Sequence, residues 1–299
     1  MVVRAAAAAA VLLCLTLVGH GAQDERDDWD TTRARGTTRE IEFSISEGTW
    51  MSASTTPDGR WIVFDLLAHV YRVPAAGGEA ECLTEDSGVA LNFHPRVSPD
   101  GRTIAFVSDR KGQNNLWLMD IDGTNPRPVF TSRDVRVFEP AWSPDGNWIV
   151  VRRQDVATPQ PPQPTVGLWM YHRNGGSGVE LVGREARGAA WPTFSPDGTF
   201  VYFHQGVGAA PVAGRGDFLS GAFQIKRVRL EDGHIEDVTS GLAGQQSRTS
   251  NGGAIAAELS PDGRYMTFAR RMHDQVIEYK GHRPRRKATL RAARCGKSP

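Results

Sequence analysis

Five copies of one four-residue phrase constrain this chain more than anything else in it. They are Thr56-Pro57-Asp58-Gly59, Ser98-Pro99-Asp100-Gly101, Ser143-Pro144-Asp145-Gly146, Ser195-Pro196-Asp197-Gly198 and Ser260-Pro261-Asp262-Gly263. Each is followed by β-branched and aromatic residues: Trp61–Phe64, Thr103–Phe106, Trp148–Val151, Phe200–Phe203 and Tyr265–Phe268. The prolines are spaced by 42, 45, 52 and 65 residues, a period in the forties stretched by insertions. The phrase has a mechanical meaning. Pro fixes φ at the second position of a turn, Asp bonds amides just downstream, and Gly accepts a positive φ. Each copy therefore predicts a tight reversal between two strands.

The second repeat shows a whole unit. Pro95–Val97 is strand one, Thr103–Ser108 strand two and Leu116–Asp120 strand three. The turn Asp122-Gly123 leads to a fourth strand near Arg127–Phe130. Val70–Val73, Leu168–Tyr171 and Phe223–Leu230 supply later strands of the other repeats. Four short antiparallel strands in about 45 residues make a propeller blade, so the fold class is an all-β propeller with five visible repeats. Ile41–Ile45 alternates apolar and polar and predicts a further strand, of the kind that completes a ring. The repeat begun at Ser260 has no clear later strands, which predicts an incomplete ring.

Outside the repeats the chain changes character. Arg4 precedes an apolar run of fourteen residues, Ala5–Val18, with small residues at Gly19, Gly21 and Ala22. Residues 1–22 thus read as a secretory signal, and an uncleaved anchor is the alternative. The expected location is periplasmic or secreted, with no stable membrane span after cleavage. Residues 23–39 form a polar linker, 40–280 the propeller and 281–299 a basic tail. Residues 280–299 hold eight Lys/Arg and no acid, while the remainder carries 27 basic against 34 acidic residues. That balance excludes a nucleic-acid partner for the propeller. Two insertions stretch the period: the Pro/Gln-rich Gln160–Thr165 and the Gly/Ala-rich Gly206–Gly221, which contains Arg215-Gly216-Asp217. Three cysteines, one inside the signal, give no metal pattern and no disulfide scaffold, and Cys82 reads as a small core residue.

Ser108-Asp109-Arg110, Asn115–Met119 and Asp122-Gly123 resemble the WD-like repeats of periplasmic Tol-system propellers, over roughly residues 40–280. Glu47–Met51, Phe64–Leu67 and Tyr279–Arg283 are similar to the N-terminal propellers of large exported amidohydrolases. The first resemblance implies six or more blades. The second implies a metal-dependent hydrolase barrel downstream, and only there a divalent metal. No His-x-His pair of such a barrel occurs in this chain, and the resemblance ends after Arg283. The end reads as truncated or frame-shifted, or as a natural basic tail.

No residue set demands catalysis. The histidines are scattered, without metal-ligand spacing, and read as loop or strand-surface residues. No Gly-x-Ser-x-Gly elbow or phosphate loop is present. No cofactor is expected in this chain, and the turn Asp residues have structural work already. One set of equivalent positions remains. Five residues before each motif proline stand Ser52, His94, Glu139, Trp191 and Ala256. Positions this divergent share no evident packing role, so His94, Glu139 and Trp191 are candidates for a polar binding mouth at one rim of the channel. Ordinary water-filled channel lining is the competing reading. The functions left open are a module binding a protein or small ligand on its face, the propeller of an amidohydrolase, a stand-alone interaction propeller, and a hydrolase or lyase acting within the channel.

Overall fold

A computed structural model describes residues 30–34, 36–39, 48, 51–156, 166–183, 188–207, 222–239 and 253–271. The signal, the Ile41–Ile45 strand, the Pro/Gln insertion, most of the Gly/Ala-rich insertion and the basic tail lie outside them.

Each turn phrase joins the first two strands of a sheet. The first blade contains β1 (Ala53–Thr55), β2 (Trp61–Leu66), β3 (His69–Pro74) and β4 (Glu81–Cys82), paired in that order. The second contains β5 (Asn92–Val97), β6 (Thr103–Ser108), β7 (Asn115–Asp120) and β8 (Arg127–Pro128). The third contains β9 (Val135–Trp142), β10 (Trp148–Asp155), β11 (Val166–His172) and β12 (Val179–Val182). The fourth contains β13 (Ala190–Phe194), β14 (Phe200–Val207), β15 (Ala222–Arg229) and β16 (Ile235–Asp237). Neighbours within each blade are antiparallel. The fifth repeat contributes β17 (Gly253–Leu259) and β18 (Met266–Arg271) among the described residues, and a parallel bridge between Phe223 and Gly253 ties β17 to β15. The first strands of successive blades pack side by side around the axis.

The core lies between blades. All six residues of β6 are buried, because the two faces of its sheet meet different neighbours. Ile104 and Phe106 pack with Val63, Val70 and Leu83 of the first blade. Ala105 and Val107 pack with Val137, Ile149 and Val151 of the third. Val150 and Leu168 on the other face of the third blade meet Val201 and Phe203 of the fourth. Burying side chains of this size contributes roughly 1.5–3 kcal/mol each. Cys82 sits at the edge of the Phe64–Tyr71–Val73 cluster, as a core reading implies, but it is disulfide-bonded, which its lack of paired spacing did not suggest.

The five turns are chemically identical. In every copy the Ser or Thr hydroxyl donates to the Asp carboxylate at 2.5–2.6 Å. The same carboxylate oxygen accepts the amide two residues downstream at 3.0–3.1 Å. The hydroxyl oxygen in turn accepts the amide that opens the next strand, at 2.9–3.0 Å. These bonds hold the Asp carboxyls below the usual carboxylate range, Asp58 at about 2. The turn Asp residues are thus structural, as their sequence context implies.

The glycines also stack the turns. Gly101 has φ +72°, and a Cβ built there would lie 3.3 Å from Cδ of Pro57 in the preceding blade's turn. Gly59, at φ +68°, has nothing within 4 Å. Gly59→Ala should therefore cost only the backbone term, about 1 kcal/mol, and Gly101→Ala about 1 kcal/mol more. Urea midpoints of the two variants check this; equal costs would mean the contact between turns carries no load.

Candidate functional site

Of the five positions that stand five residues before a motif proline, all but Ser52 share a backbone state. His94, Glu139, Trp191 and Ala256 have φ of 54°, 55°, 53° and 51°, in the left-handed region that non-glycine residues rarely occupy. Each opens a β-bulge. His94-Pro95 oppose one residue of β6, Glu139-Pro140 one of β10, Trp191-Pro192 one of β14 and Ala256-Ala257 one of β18. Such a conformation costs of order 1–3 kcal/mol and persists only where neighbours over-determine it.

The neighbours do so through a chain of hydrogen bonds running from blade to blade. The His94 amide donates to Asp65 Oδ2 of the first blade at 3.4 Å. The Glu139 amide donates to His94 Nδ1 of the second blade at 3.2 Å. The Trp191 amide donates to Glu139 Oε2 of the third blade at 2.8 Å. The Ala256 amide donates to His204 Nδ1 of the fourth blade at 3.3 Å. The bulge turns each amide toward the preceding blade, and a side chain there receives it. Two positions share the receiving work. Where the bulge residue can accept, as His94 and Glu139 do, it accepts. Ser52 is too short and the Trp191 indole only donates, so in those blades the fifth residue of the second strand supplies the acceptor: Asp65 or His204. Asp65 also accepts the Ser52 amide with its other oxygen.

Charge on this belt follows from burial. Burial pushes the His94 imidazole down to about 4, with the Arg96 and Arg152 guanidiniums adding to the effect. It pushes His204 down to about 3, with Arg152 again adding. Both rings are therefore neutral near pH 7. Their Nδ1 atoms face amide donors, which places the proton on Nε2. Glu139 is 5% exposed and pairs with Arg152 at 3.2 Å; burial pushes its carboxyl up, against the pull of Arg152 and the Trp191 amide. Burial likewise raises Asp65, opposed by its two amide donors.

The structure brings His94, Glu139 and Trp191 into one continuous chain, and gives them the shared role that their divergence seemed to exclude. Residue type varies because several side chains can accept an amide proton. Asp65, Arg152 and His204 belong to the same belt and were not singled out from sequence. His204, read there as a loop or strand-surface residue, is 2% exposed. Part of the signal was available: eight residues after the motif prolines stand Asp65, Val107, Arg152, His204 and Ala269, and the two that can accept, Asp65 and His204, belong to the blades in which Ser52 and Trp191 do not. Trp191 differs from its equivalents. Its side chain receives nothing and stacks on His204, ring centroids 5.7 Å apart. No metal-binding group of three or more His, Cys, Asp or Glu occurs among the described residues.

Residues 36–212 match the family model of the TolB β-propeller domain. The chain belongs to this family. An uncharacterized protein of Agrobacterium fabrum is 26% identical over 197 residues, 63% of this chain and 58% of the relative. An uncharacterized peptidase of Bacillus subtilis is 45% identical over 65 residues, 21% of this chain and 10% of the peptidase. The chain thus spans less than two thirds of these relatives. Among solved structures, a putative TolB from Agrobacterium tumefaciens superposes with a TM-score of 0.56 at 22% identity, over 75% of this chain and 71% of that one. A puromycin hydrolase superposes with a TM-score of 0.53 at 16% identity, over 73% of this chain and 35% of that one. These two likenesses carry the TolB propeller fold.

Proposed function

We propose that this chain is an exported TolB-type propeller that binds its ligand at the channel rim, has no catalytic machinery of its own, and forms the N-terminal part of a larger amidohydrolase-type protein. The observation that carries the binding reading is Trp191. The clasping work of its blade has passed to His204, and the indole is left half-buried with no acceptor for its N–H among the described residues. A partly desolvated aromatic with an unused donor is a recognition group. Export rests on Arg4 and the Ala5–Val18 run. The amidohydrolase context rests on Glu47–Met51, Phe64–Leu67 and Tyr279–Arg283.

Calorimetric titration of the full chain with a panel of short acidic, basic and neutral peptides tests this reading. Binding of at least one class is expected, weakened about tenfold by Trp191→Ala with the fold intact by circular dichroism, and with no peptide cleaved. Turnover of a peptide by the purified chain would move the reading to a hydrolase acting within the channel. Reading the DNA beyond the stop codon tests the larger protein: a barrel with a His-x-His pair in another frame is expected, and a clean end would favour a stand-alone propeller.

A further inference from the structure

The clasp chain consumes acceptors and leaves donors. Both oxygens of Asp65 are taken, by the Ser52 and His94 amides. Nδ1 of His94 is taken by the Glu139 amide. Glu139 gives one oxygen to the Trp191 amide and the other to Arg152. Nδ1 of His204 is taken by the Ala256 amide. What remains is of opposite polarity. With its Nδ1 accepting, His94 carries a proton on Nε2, and Trp191 carries one on Nε1. Neither N–H has an acceptor among the described residues, and both residues are only partly buried. Arg96 lies two residues beyond His94 and within electrostatic range of His94, Asp65 and Glu139, so it belongs to the same rim. Its Nη1 reaches the Pro95 and Ala53 carbonyls at 3.1 and 3.4 Å, and its side chain is 25% exposed.

We infer that the rim is a carboxylate-binding site, with Arg96 as the charged anchor and the His94 and Trp191 N–H groups as neutral donors; this rests on the binding reading above. The protein already sets a carboxylate beside Arg96. Glu258, on the first strand of the fifth blade, brings Oε1 to 3.9 Å from Arg96 Nη2. That contact is at the long end of an ion pair and the Glu258 side chain is 71% exposed, so little holds it in place. A guanidinium prefers two-pronged carboxylate contacts at hydrogen-bonding distance, which Glu258 does not make. An incoming carboxylate can replace it at small cost and gain the two-pronged contact that Glu258 does not make. The carboxylate could end a peptide or stand on a side chain, and the chemistry of capture is the same.

The test titrates the full chain with three probes: acetyl-trialanine as the free acid, the same peptide as its amide, and acetyl-Ala-Glu-Ala-amide. At least one carboxylate probe is expected to bind tenfold or more tightly than acetyl-trialanine amide. Preference for the free acid assigns a chain terminus, and preference for the Glu peptide assigns a side chain. Arg96→Gln should erase the difference. Glu258→Gln, which removes the internal competitor from an exposed position, should tighten carboxylate binding several-fold. Equal affinity for all three probes would overturn the carboxylate inference and leave the rim a binding site. Binding of none would overturn both. Should Arg96→Gln fail to fold, unchanged affinity in Glu258→Gln overturns the inference alone.

Discussion

Glu139→Ala is expected to lower the free energy of unfolding by about 3–5 kcal/mol, a large share of the 5–15 kcal/mol typical of a folded domain. The carboxylate is 5% exposed and holds two partners on different elements. One is the Trp191 amide of the fourth blade at 2.8 Å; the other is the Arg152 guanidinium on β10 at 3.2 Å. Truncation leaves a buried amide and a buried cation without it, and the loss of the partner outweighs the net worth of the pair. It also removes the contact that over-determines the left-handed Trp191, whose strain then counts against the fold. Glu139→Gln separates these terms. Its amide oxygen still accepts from Trp191 while the charge is gone, so it should fall between wild type and Glu139→Ala. Urea unfolding by fluorescence reads both variants. A Glu139→Ala midpoint equal to wild type would show that the belt does not hold adjacent blades together.

The fold was legible because the turn phrase is local. Ser, Pro, Asp and Gly each act within six residues, so five copies announce five reversals, and the strand runs announce sheets covered on both faces. The blade boundaries predicted for the second repeat fall within a few residues of β5–β8. The rim was legible only in position. Counting back from the prolines finds the bulge residues, but the bond each makes lies about 30 to 50 residues away in the neighbouring blade, and acceptors of different type are interchangeable there. For His94 and Glu139, part of the divergence is substitution within one structural task, that of accepting the next blade's amide. Trp191 stands apart, since another side chain performs that task in its blade.

Acid should loosen the belt over a defined window. His94 and His204 are neutral in the folded protein, at about 4 and about 3, while an unfolded histidine titrates near 6.5. A folded value below the unfolded one means that stability is complete above pH ~6.5 and is lost as pH falls, since the unfolded chain takes up protons that the fold refuses. Between pH ~6.5 and about 4 both imidazoles contribute, and the slope reaches roughly 2.7 kcal/mol per pH unit. Between about 4 and 3 only His204 contributes, at roughly 1.4 kcal/mol per unit. Asp65 and Glu139 act in the opposite sense, because burial raises their folded values and proton uptake by the folded state offsets part of the loss. The turn Asp residues, held low, add their own loss only below pH ~4. Burial is the main cause, and the geometry acts in the same direction: an imidazolium Nδ1–H would face the Glu139 or Ala256 amide, donor against donor. His94→Asn with His204→Asn keeps an acceptor and removes these two titrations, leaving His69, whose imidazole burial also lowers, so its unfolding free energy should fall much less between pH 6.5 and 4.5 than that of the wild type, which falls by several kcal/mol. Parallel profiles would refute the assignment. Imidazole resonances of the wild type provide a second reading, since two rings should stay neutral at pH 5 and an ordinary titration of both near pH 6.5 would place them outside the belt.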